Sequence, residues 1–137
     1  MEKKNAPSKE LPCVLAVDDD PVNLRIVRSL LERNGYTVRT APNGEEALAS
    51  LQETVPVMLI CDVMMPGMSG YDLCRAIKTN QHLQKIPVVF LTGQDSPKDF
   101  KTGHEVGAVF YLAKPIKPAR LLNVVRMLCP PRRAQAD

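Results

Sequence analysis

The nine residues from Cys13 to Pro21 read Cys-Val-Leu-Ala-Val-Asp-Asp-Asp-Pro. The first five form a continuous apolar run, which is typical of a strand covered on both faces. Three carboxylates follow directly, and Asp20-Pro21 is an N-cap and first-turn pair that predicts a helix beginning at Pro21. A buried strand that ends in charges and passes into a helix is the opening unit of an α/β domain.

Four further runs alternate with segments of helical periodicity. The runs are Thr37–Ala41, Val57–Cys61, Val88–Leu91 and Val109–Leu112. The first of these alternates between polar and apolar residues, which places it at a half-exposed edge, whereas the other three are nearly continuous in apolar residues. Helices are predicted at about residues 21–33, 44–53, 70–78, 96–107 and 118–129. Five strand–helix units predict a doubly wound, five-stranded parallel sheet with five helices and right-handed crossovers.

Length and composition bound the class of protein. The chain has 137 residues, 45% of them hydrophobic and 24% charged, which is typical of one soluble globular domain. No apolar run approaches the roughly 18 residues of a membrane span, and no apolar segment follows the basic start, so we expect neither a membrane anchor nor a secretory signal. The formal net charge is only +3, the basic residues are scattered and Trp is absent, which disfavours direct nucleic-acid binding.

The two ends and the cysteines add further expectations. Residues 1–11 are expected to form a flexible N-terminal tail, and residues 130–137, which begin with two prolines, a C-terminal tail or the start of a linker. The four cysteines, at positions 13, 61, 74 and 129, match no metal or redox motif. We therefore expect free, buried thiols and a reducing, cytoplasmic location.

Polar groups follow the predicted strands where each one ends. Asp18 and Asp19 follow the first strand, Asp62 the third, Thr92-Gly93 the fourth and Lys114 the fifth. The carboxyl ends of parallel strands meet at one edge of the sheet, where ligands gather. Helix capping does not explain three clustered carboxylates, because like charges held close together repel one another. Mg²⁺ makes such a cluster tolerable, and Lys114 and Thr92 add contacts for a phosphoryl group.

In this order and spacing, four segments make the chain resemble the receiver domain of response regulators in two-component signalling. They are Val17-Asp18-Asp19-Asp20-Pro21, Cys61-Asp62-Val63-Met64-Met65-Pro66-Gly67-Met68-Ser69-Gly70, Phe90-Leu91-Thr92-Gly93 and Tyr111-Leu112-Ala113-Lys114-Pro115. Together with Asn43-Gly44-Glu45-Glu46-Ala47-Leu48, they extend the resemblance over about residues 12–129. The resemblance implies a CheY-like, flavodoxin-like fold with strand order 2-1-3-4-5.

The resemblance also implies which residues handle the phosphoryl group. Asp62 would be the phosphoryl acceptor, and Lys114 and Thr92 would bind the phosphoryl oxygens, assisted by the backbone amide of Gly93. The peptide bond between Lys114 and Pro115 is expected to be cis, which costs about 0.5–1 kcal/mol before proline.

A second set of roles concerns the metal. The resemblance implies that Mg²⁺ is held by Asp19, by Asp62 and by the backbone carbonyl of Met64. Asp18 would act on the ion mainly through water. Met64 also lies two residues beyond Asp62, and Gln94 lies two residues beyond Thr92. In the family these two positions flank the path of the hydrolytic water. The side chains found here do not predict how long the phosphoryl group lasts.

The function implied by the resemblance is a signalling switch rather than an enzyme. A histidine kinase, a phosphotransfer protein or a small donor such as acetyl phosphate would pass a phosphoryl group to Asp62, so the chain would catalyse only its own phosphorylation and dephosphorylation. Thr92 would then move towards the phosphoryl group, and Tyr111 would turn inward. The face made by the fourth helix, fifth strand and fifth helix would change and control an unidentified target or output domain. A homodimer through this face is left open.

Two alternatives also remain open. Asp18-Asp19-Asp20 contains the Asp-x-Asp pattern of magnesium-dependent phosphatases, as in haloacid-dehalogenase-like proteins, but that alternative leaves the segment 62–67 unexplained and the sequence offers no cap domain. A receiver-shaped interaction module that is never phosphorylated would also have this fold, although every acceptor-site residue is present.

Overall fold

A computed structural model describes residues 11–93 and 110–130 and contains one five-stranded sheet. The strands are β1 (Cys13–Val17), β2 (Thr37–Ala41), β3 (Met58–Asp62), β4 (Val88–Thr92) and β5 (Phe110–Ala113). They lie in the order β2-β1-β3-β4-β5, and every neighbouring pair is parallel. This arrangement confirms the predicted doubly wound sheet, with the alternating strand β2 at an edge.

Three strands extend one residue beyond the predicted apolar runs. Asp62 at the end of β3 stays in register with Leu91 of β4, and Thr92 at the end of β4 stays in register with Ala113 of β5. In β3 and β4 the apolar periodicity stops at the last apolar side chain, whereas the backbone ladder continues for one more step. Asp62 and Thr92, the polar residues at this edge of the sheet, are therefore held by the hydrogen bonds of the strands.

The described residues contain four helices, namely α1 (Pro21–Glu32), α2 (Gly44–Glu53), α3 (Gly70–Lys78) and a C-terminal helix (Pro118–Leu128). The side chains of Asp20, Asn43 and Ser69 cap the first three helices, whereas Lys117 gives the last one no side-chain cap. The predicted helix near residues 96–107 lies outside the described residues, as do Gln94 and most of both predicted tails. No described helix combines the length and apolar character that a bilayer crossing demands.

Apolar layers on the two faces of the sheet hold these elements together. One layer joins α2 and α3 to the sheet around Phe90 and Ile77, and the other joins α1 and the C-terminal helix around Leu31 and Leu121. Strands β3 and β4 are buried along their whole length. Each fully buried aliphatic side chain contributes about 1.5–3 kcal/mol, so the two central strands form a stable base for the polar edge.

The cysteines are free thiols, but only two of the four are buried. Cys61 and Cys74 are buried as predicted, and burial raises the pKa of both thiols, that of Cys61 well above its ordinary value. Cys13 and Cys129 are half-buried, which corrects the expectation of four buried thiols. Cys13 is the first residue of β1 and Cys129 follows the last residue of the C-terminal helix, so both lie at the ends of elements.

Glycines shape the loop that joins β3 to α3. Gly67 has a φ of 77°, in the left-handed region that favours glycine. The N–H of Gly70 donates to the carbonyl oxygen of Val63 at 2.9 Å. A Cβ atom on Gly70 would overlap the backbone carbonyl oxygen of Asp62. The first residue of α3 is thus packed directly on the last residue of β3, and this contact fixes the backbone of Asp62.

Candidate functional site

Three carboxylates meet at the carboxyl edge of the sheet. Asp18 and Asp19 follow β1, Asp62 ends β3, and one oxygen atom from each side chain lies within 4.8 Å of the other two. Asp18 is 2% exposed and Asp62 4% exposed, whereas Asp19 is exposed to solvent. Two negative charges held almost out of water repel each other strongly, so the cluster requires a cation close by.

Lys114 provides positive charge inside the cluster. Its Nζ atom lies 3.0 Å from Oδ1 of Asp62 and 3.2 Å from Oδ2 of Asp18. The residue follows β5, where its backbone N–H donates to the carbonyl oxygen of Thr92 at 2.8 Å, and the peptide bond to Pro115 is cis. One ammonium group therefore bridges the ends of β1 and β3.

The charges of this site change the proton affinity of its members. Burial is the main reason that the pKa of Asp62 rises from 3.8 to about 6. The hydrogen bond from Lys114 opposes this rise, and the negative charge of Asp18 adds to it. Partial burial by itself would lower the pKa of Lys114, but its hydrogen bond to Asp62 and the charges of both carboxylates outweigh burial and raise it. Lys114 therefore stays protonated at neutral pH, while Asp62 is mostly ionised.

Two neutral donors hold Asp18 on the other side. The backbone N–H of Asp20 donates to Oδ1 of Asp18 at 2.9 Å, and the side-chain amide of Asn23 donates to Oδ2 at 3.2 Å. The side chain of Asp20 itself caps α1 by accepting from the N–H of Val22 at 2.9 Å. Asp20 is not part of the carboxylate cluster, which argues against the Asp-x-Asp phosphatase alternative.

The remaining predicted residues lie around this cluster. Thr92 is 1% exposed at the end of β4, and Gly93 follows it on the surface. Met64 lies two residues beyond Asp62, and its backbone N–H donates to the Asp62 carboxylate. The Met64 side chain is 64% exposed.

Tyr111 belongs to an aromatic group on the α3 side of the sheet. Its hydroxyl group lies 2.8 Å from the hydroxyl of Tyr71, the second residue of α3. The rings of both tyrosines contact Phe90 of β4, with ring centroids 5.1 Å away for Tyr71 and 5.5 Å away for Tyr111. No local pattern in the sequence indicates Tyr71 as a partner, because the two tyrosines are 40 positions apart and meet only through the fold.

The donor set of the edge fits a hard divalent cation. Mg²⁺ prefers oxygen ligands, and the cluster consists of carboxylates. The carboxylates of Asp18, Asp19 and Asp62 outnumber the one ammonium of Lys114, so the site keeps an excess of negative charge when all of them are ionised. Asp19 is the exposed member and has the most room for direct coordination.

The chain is similar to known proteins over most of its length. The family model for the response regulator receiver domain matches residues 14–126. The two-component response regulator ORR3 of Oryza sativa subsp. indica is 39% identical over 132 residues, which cover 93% of this chain and 99% of that protein. The chemotaxis protein CheY4 of Vibrio cholerae has a TM-score of 0.82 at 36% identity, and the match covers 85% of this chain and 98% of that one.

Other relatives are much longer than the region of similarity. The response regulator PleD of Caulobacter vibrioides is 40% identical over 115 residues, which are 84% of this chain. The chain spans only 25% of the length of PleD, and 23% of a probable cyclic di-GMP phosphodiesterase of Vibrio cholerae. The match to these proteins is therefore a match to one part of each.

Proposed function

Because this chain belongs to the response-regulator receiver family, which its sequence and its fold both match over most of its length, we propose that it is a phosphorylatable switch with Asp62 as the acceptor. The observation that carries the proposal is the convergence of three carboxylates on the ammonium of Lys114 at the carboxyl edge of the sheet. Asp62 is the carboxylate that both central strands support and that Lys114 contacts at the shorter distance. A structural role alone would be served by an apolar side chain at this buried strand end.

The proposed reaction is an in-line transfer to a carboxylate oxygen of Asp62. This oxygen attacks the phosphorus atom of a phosphohistidine on a histidine kinase or phosphotransfer protein, or that of acetyl phosphate. The bond from phosphorus to the donor breaks, the donor keeps its electron pair, and a new P–O bond forms to Asp62. Later attack by water restores the carboxylate and releases inorganic phosphate. The chain is then a switch that catalyses only its own two steps.

Lys114, Thr92 and the amide of Gly93 are proposed to bind the phosphoryl oxygens. Lys114 already contacts two carboxylates, so it can exchange its contact with Asp62 for one with a phosphoryl oxygen without leaving the site. Thr92 lies one position beyond Leu91, the β4 partner of Asp62, so its hydroxyl group belongs to the neighbouring strand end.

Asp19, Asp62 and the backbone carbonyl of Met64 are the proposed magnesium ligands, and Asp18 is proposed to act through water. When bound, Mg²⁺ offsets negative charge on the transferring phosphoryl group. Asp18 suits an indirect role because both of its oxygens already accept hydrogen bonds from the protein.

Signalling is proposed to follow from the movement of Thr92 and Tyr111. The altered face would consist of the predicted helix near residues 96–107, β5 and the C-terminal helix, and it would control a partner or an output domain in the cytoplasm, with a homodimer as one arrangement. We further propose that residues 12–129 form the receiver, that 1–11 are a tail and that 130–137 lead away from it as a tail or linker. Several relatives, of which the chain spans about a quarter, are consistent with a receiver joined to other domains.

The test is phosphorylation by acetyl phosphate and Mg²⁺, measured by intact mass. The wild type should gain one phosphoryl group, and neither Asp62→Asn nor a sample treated with a chelator should gain any. Asp20→Asn is the matched control, because Asn also caps helices and Asp20 lies outside the carboxylate cluster. If the folded wild type gains nothing and also fails to bind beryllofluoride, the chain is an interaction module that works without phosphorylation.

A further inference from the structure

Asn23 contacts the acidic cluster from the first turn of α1. Its side-chain amide donates to Oδ2 of Asp18 at 3.2 Å, the same oxygen that lies 3.2 Å from Nζ of Lys114. The other oxygen, Oδ1, accepts from the backbone N–H of Asp20 at 2.9 Å. Among the described residues, Asp18 is therefore held by two neutral donors from the start of α1 and by one cation from the far side of the site.

We propose that Asn23 is a positioning residue for magnesium, which orients the Asp18 carboxylate so that the metal site is formed before the ion arrives. The inference rests on the proposed function, since it concerns the same metal site. The loss of a group that orients a direct metal ligand typically weakens metal binding about 10–100-fold. Asp18 is proposed to act through water, so Asn23 lies one contact further from the ion and the lower end of that range is the expected effect.

Lys114 is poorly suited to this task alone. In the proposed reaction its ammonium exchanges its contact with Asp62 for one with a phosphoryl oxygen, so it is shared between Asp18 and a second acceptor that changes during the reaction. Asn23 has no such second duty, and its amide neither adds charge nor titrates, so it holds Asp18 equally with and without a phosphoryl group.

The position of Asn23 is also well fixed. It lies on the turn that begins with the Asp20 cap and Pro21, between Val22, whose backbone N–H donates to the Asp20 side chain at 2.9 Å, and Leu24, whose N–H donates to the Asp20 carbonyl oxygen at 3.3 Å. A rigid donor lowers the ordering cost of binding, because the carboxylate it holds does not have to be immobilised by the ion.

The experiment compares magnesium affinities by titration calorimetry, with the wild type, Asn23→Leu and Asn34→Leu. Leu has the same branched shape and number of heavy atoms as Asn but no donor. Asn34 follows the other end of the same helix, where its amide donates to the carbonyl oxygen of Leu30 at 2.7 Å, so its loss serves as the control for general damage to α1. Asn23→Gln retains an amide on a longer arm and should restore part of the affinity. Asn23→Ala replaces the Leu variant if that variant does not unfold cooperatively in urea.

We expect Asn23→Leu to raise the Kd for Mg²⁺ about 10-fold and Asn34→Leu to leave it within about 2-fold of the wild type. The Mg²⁺ concentration for half-maximal phosphorylation should rise by the same factor, while the rate at saturating Mg²⁺ should change little. An unchanged Kd in Asn23→Leu, with normal binding by the wild type, would overturn the inference and leave the proposed function intact. A wild type that binds no Mg²⁺ would overturn both.

Discussion

Replacing Asp62 with Asn should stabilise the chain at neutral pH when no divalent cation is present. Asp62 is nearly buried beside Asp18, and burial is the first cause of a pKa that rises from 3.8 to about 6. An acid whose pKa is higher in the folded chain than in the unfolded chain stabilises the fold only while it is protonated. Its contribution is complete below pH 3.8 and is lost as the pH rises to about 6. Above that pH the folded chain carries the cost of a buried charge that the Asn variant lacks.

The size of this cost follows from the difference in pKa. A rise from 3.8 to about 6 corresponds to about 3 kcal/mol at pH values well above 6, and to about half of that at pH 5. The Lys114 contact is already included in the raised pKa, and Asn can still accept a hydrogen bond from Lys114. We therefore expect Asp62→Asn to raise the free energy of unfolding by about 1–3 kcal/mol at pH 7.5.

Urea denaturation in the presence of a chelator measures this difference directly. The wild type, Asp62→Asn and the control Asp20→Asn should be compared at pH 7.5 and at pH 5, where the advantage of Asp62→Asn should shrink by about half. Saturating Mg²⁺ should stabilise the wild type and narrow the difference, because the variant has lost a proposed ligand. An Asp62→Asn variant that is no more stable than the wild type at pH 7.5, or a difference that does not depend on pH, would refute the electrostatic reasoning.

Three further substitutions test the geometry around the site. Gly70→Ala places a Cβ atom on the carbonyl oxygen of Asp62, so it should lower the free energy of unfolding, measured by urea denaturation, by at least about 1–3 kcal/mol and impair phosphorylation. A loss below about 0.5 kcal/mol would contradict the packing described. Gly93→Ala should keep phosphoryl uptake and raise the free energy of unfolding by up to about 1 kcal/mol, because no described heavy atom lies within 4 Å of the new Cβ and the φ of Gly93 is not positive. Intact mass after acetyl phosphate treatment measures the uptake, and a loss of uptake would contradict this expectation. Tyr71→Phe should lower the free energy of unfolding by about 0.5–1.5 kcal/mol and shift the Tyr111 signal in fluorine NMR of fluorotyrosine-labelled protein. The chain has three tyrosines, so Tyr36 is the internal reference, and an unmoved Tyr111 signal would count against the hydroxyl pair.

Local patterns in the sequence predict the fold because each element has its own physical signal. The alternation of Thr37–Ala41 places β2 at an edge, and the Asp20-Pro21 pair locates the start of α1. These signals come from backbone hydrogen bonding and from burial on one or two faces, which depend on residues close together in the chain. The predicted apolar runs of β3, β4 and β5 stop one residue short of the strand ends. At β3 the reason is that Asp62, the charged residue that ends the strand, has no apolar signal.

Contacts between individual side chains are harder to predict from local patterns. Asn23 resembles any polar residue on the first turn of a helix, and only the three-dimensional approach of α1 to Asp18 shows that its amide is a donor to the cluster. A sequence clue did exist, since Asn23 lies within one turn of a helix that begins at the charged edge. Tyr71 gives no such clue, because β4 lies in the chain between its helix, α3, and the strand β5 that carries its partner Tyr111.

The distribution of charge at the site explains why donors of two kinds surround it. With Asp18, Asp19 and Asp62 ionised against one ammonium on Lys114, the cluster has a formal charge of −2, which a divalent cation neutralises. A second cation from the protein would hold the carboxylates more firmly but would remove the charge that attracts the ion. Neutral donors avoid this conflict, since the N–H groups of Asp20 and Met64 and the amide of Asn23 orient carboxylates without altering that charge. The chain therefore keeps its metal ligands ordered and its electrostatic attraction for the ion intact, at the cost of the stability that Asp62→Asn is expected to recover.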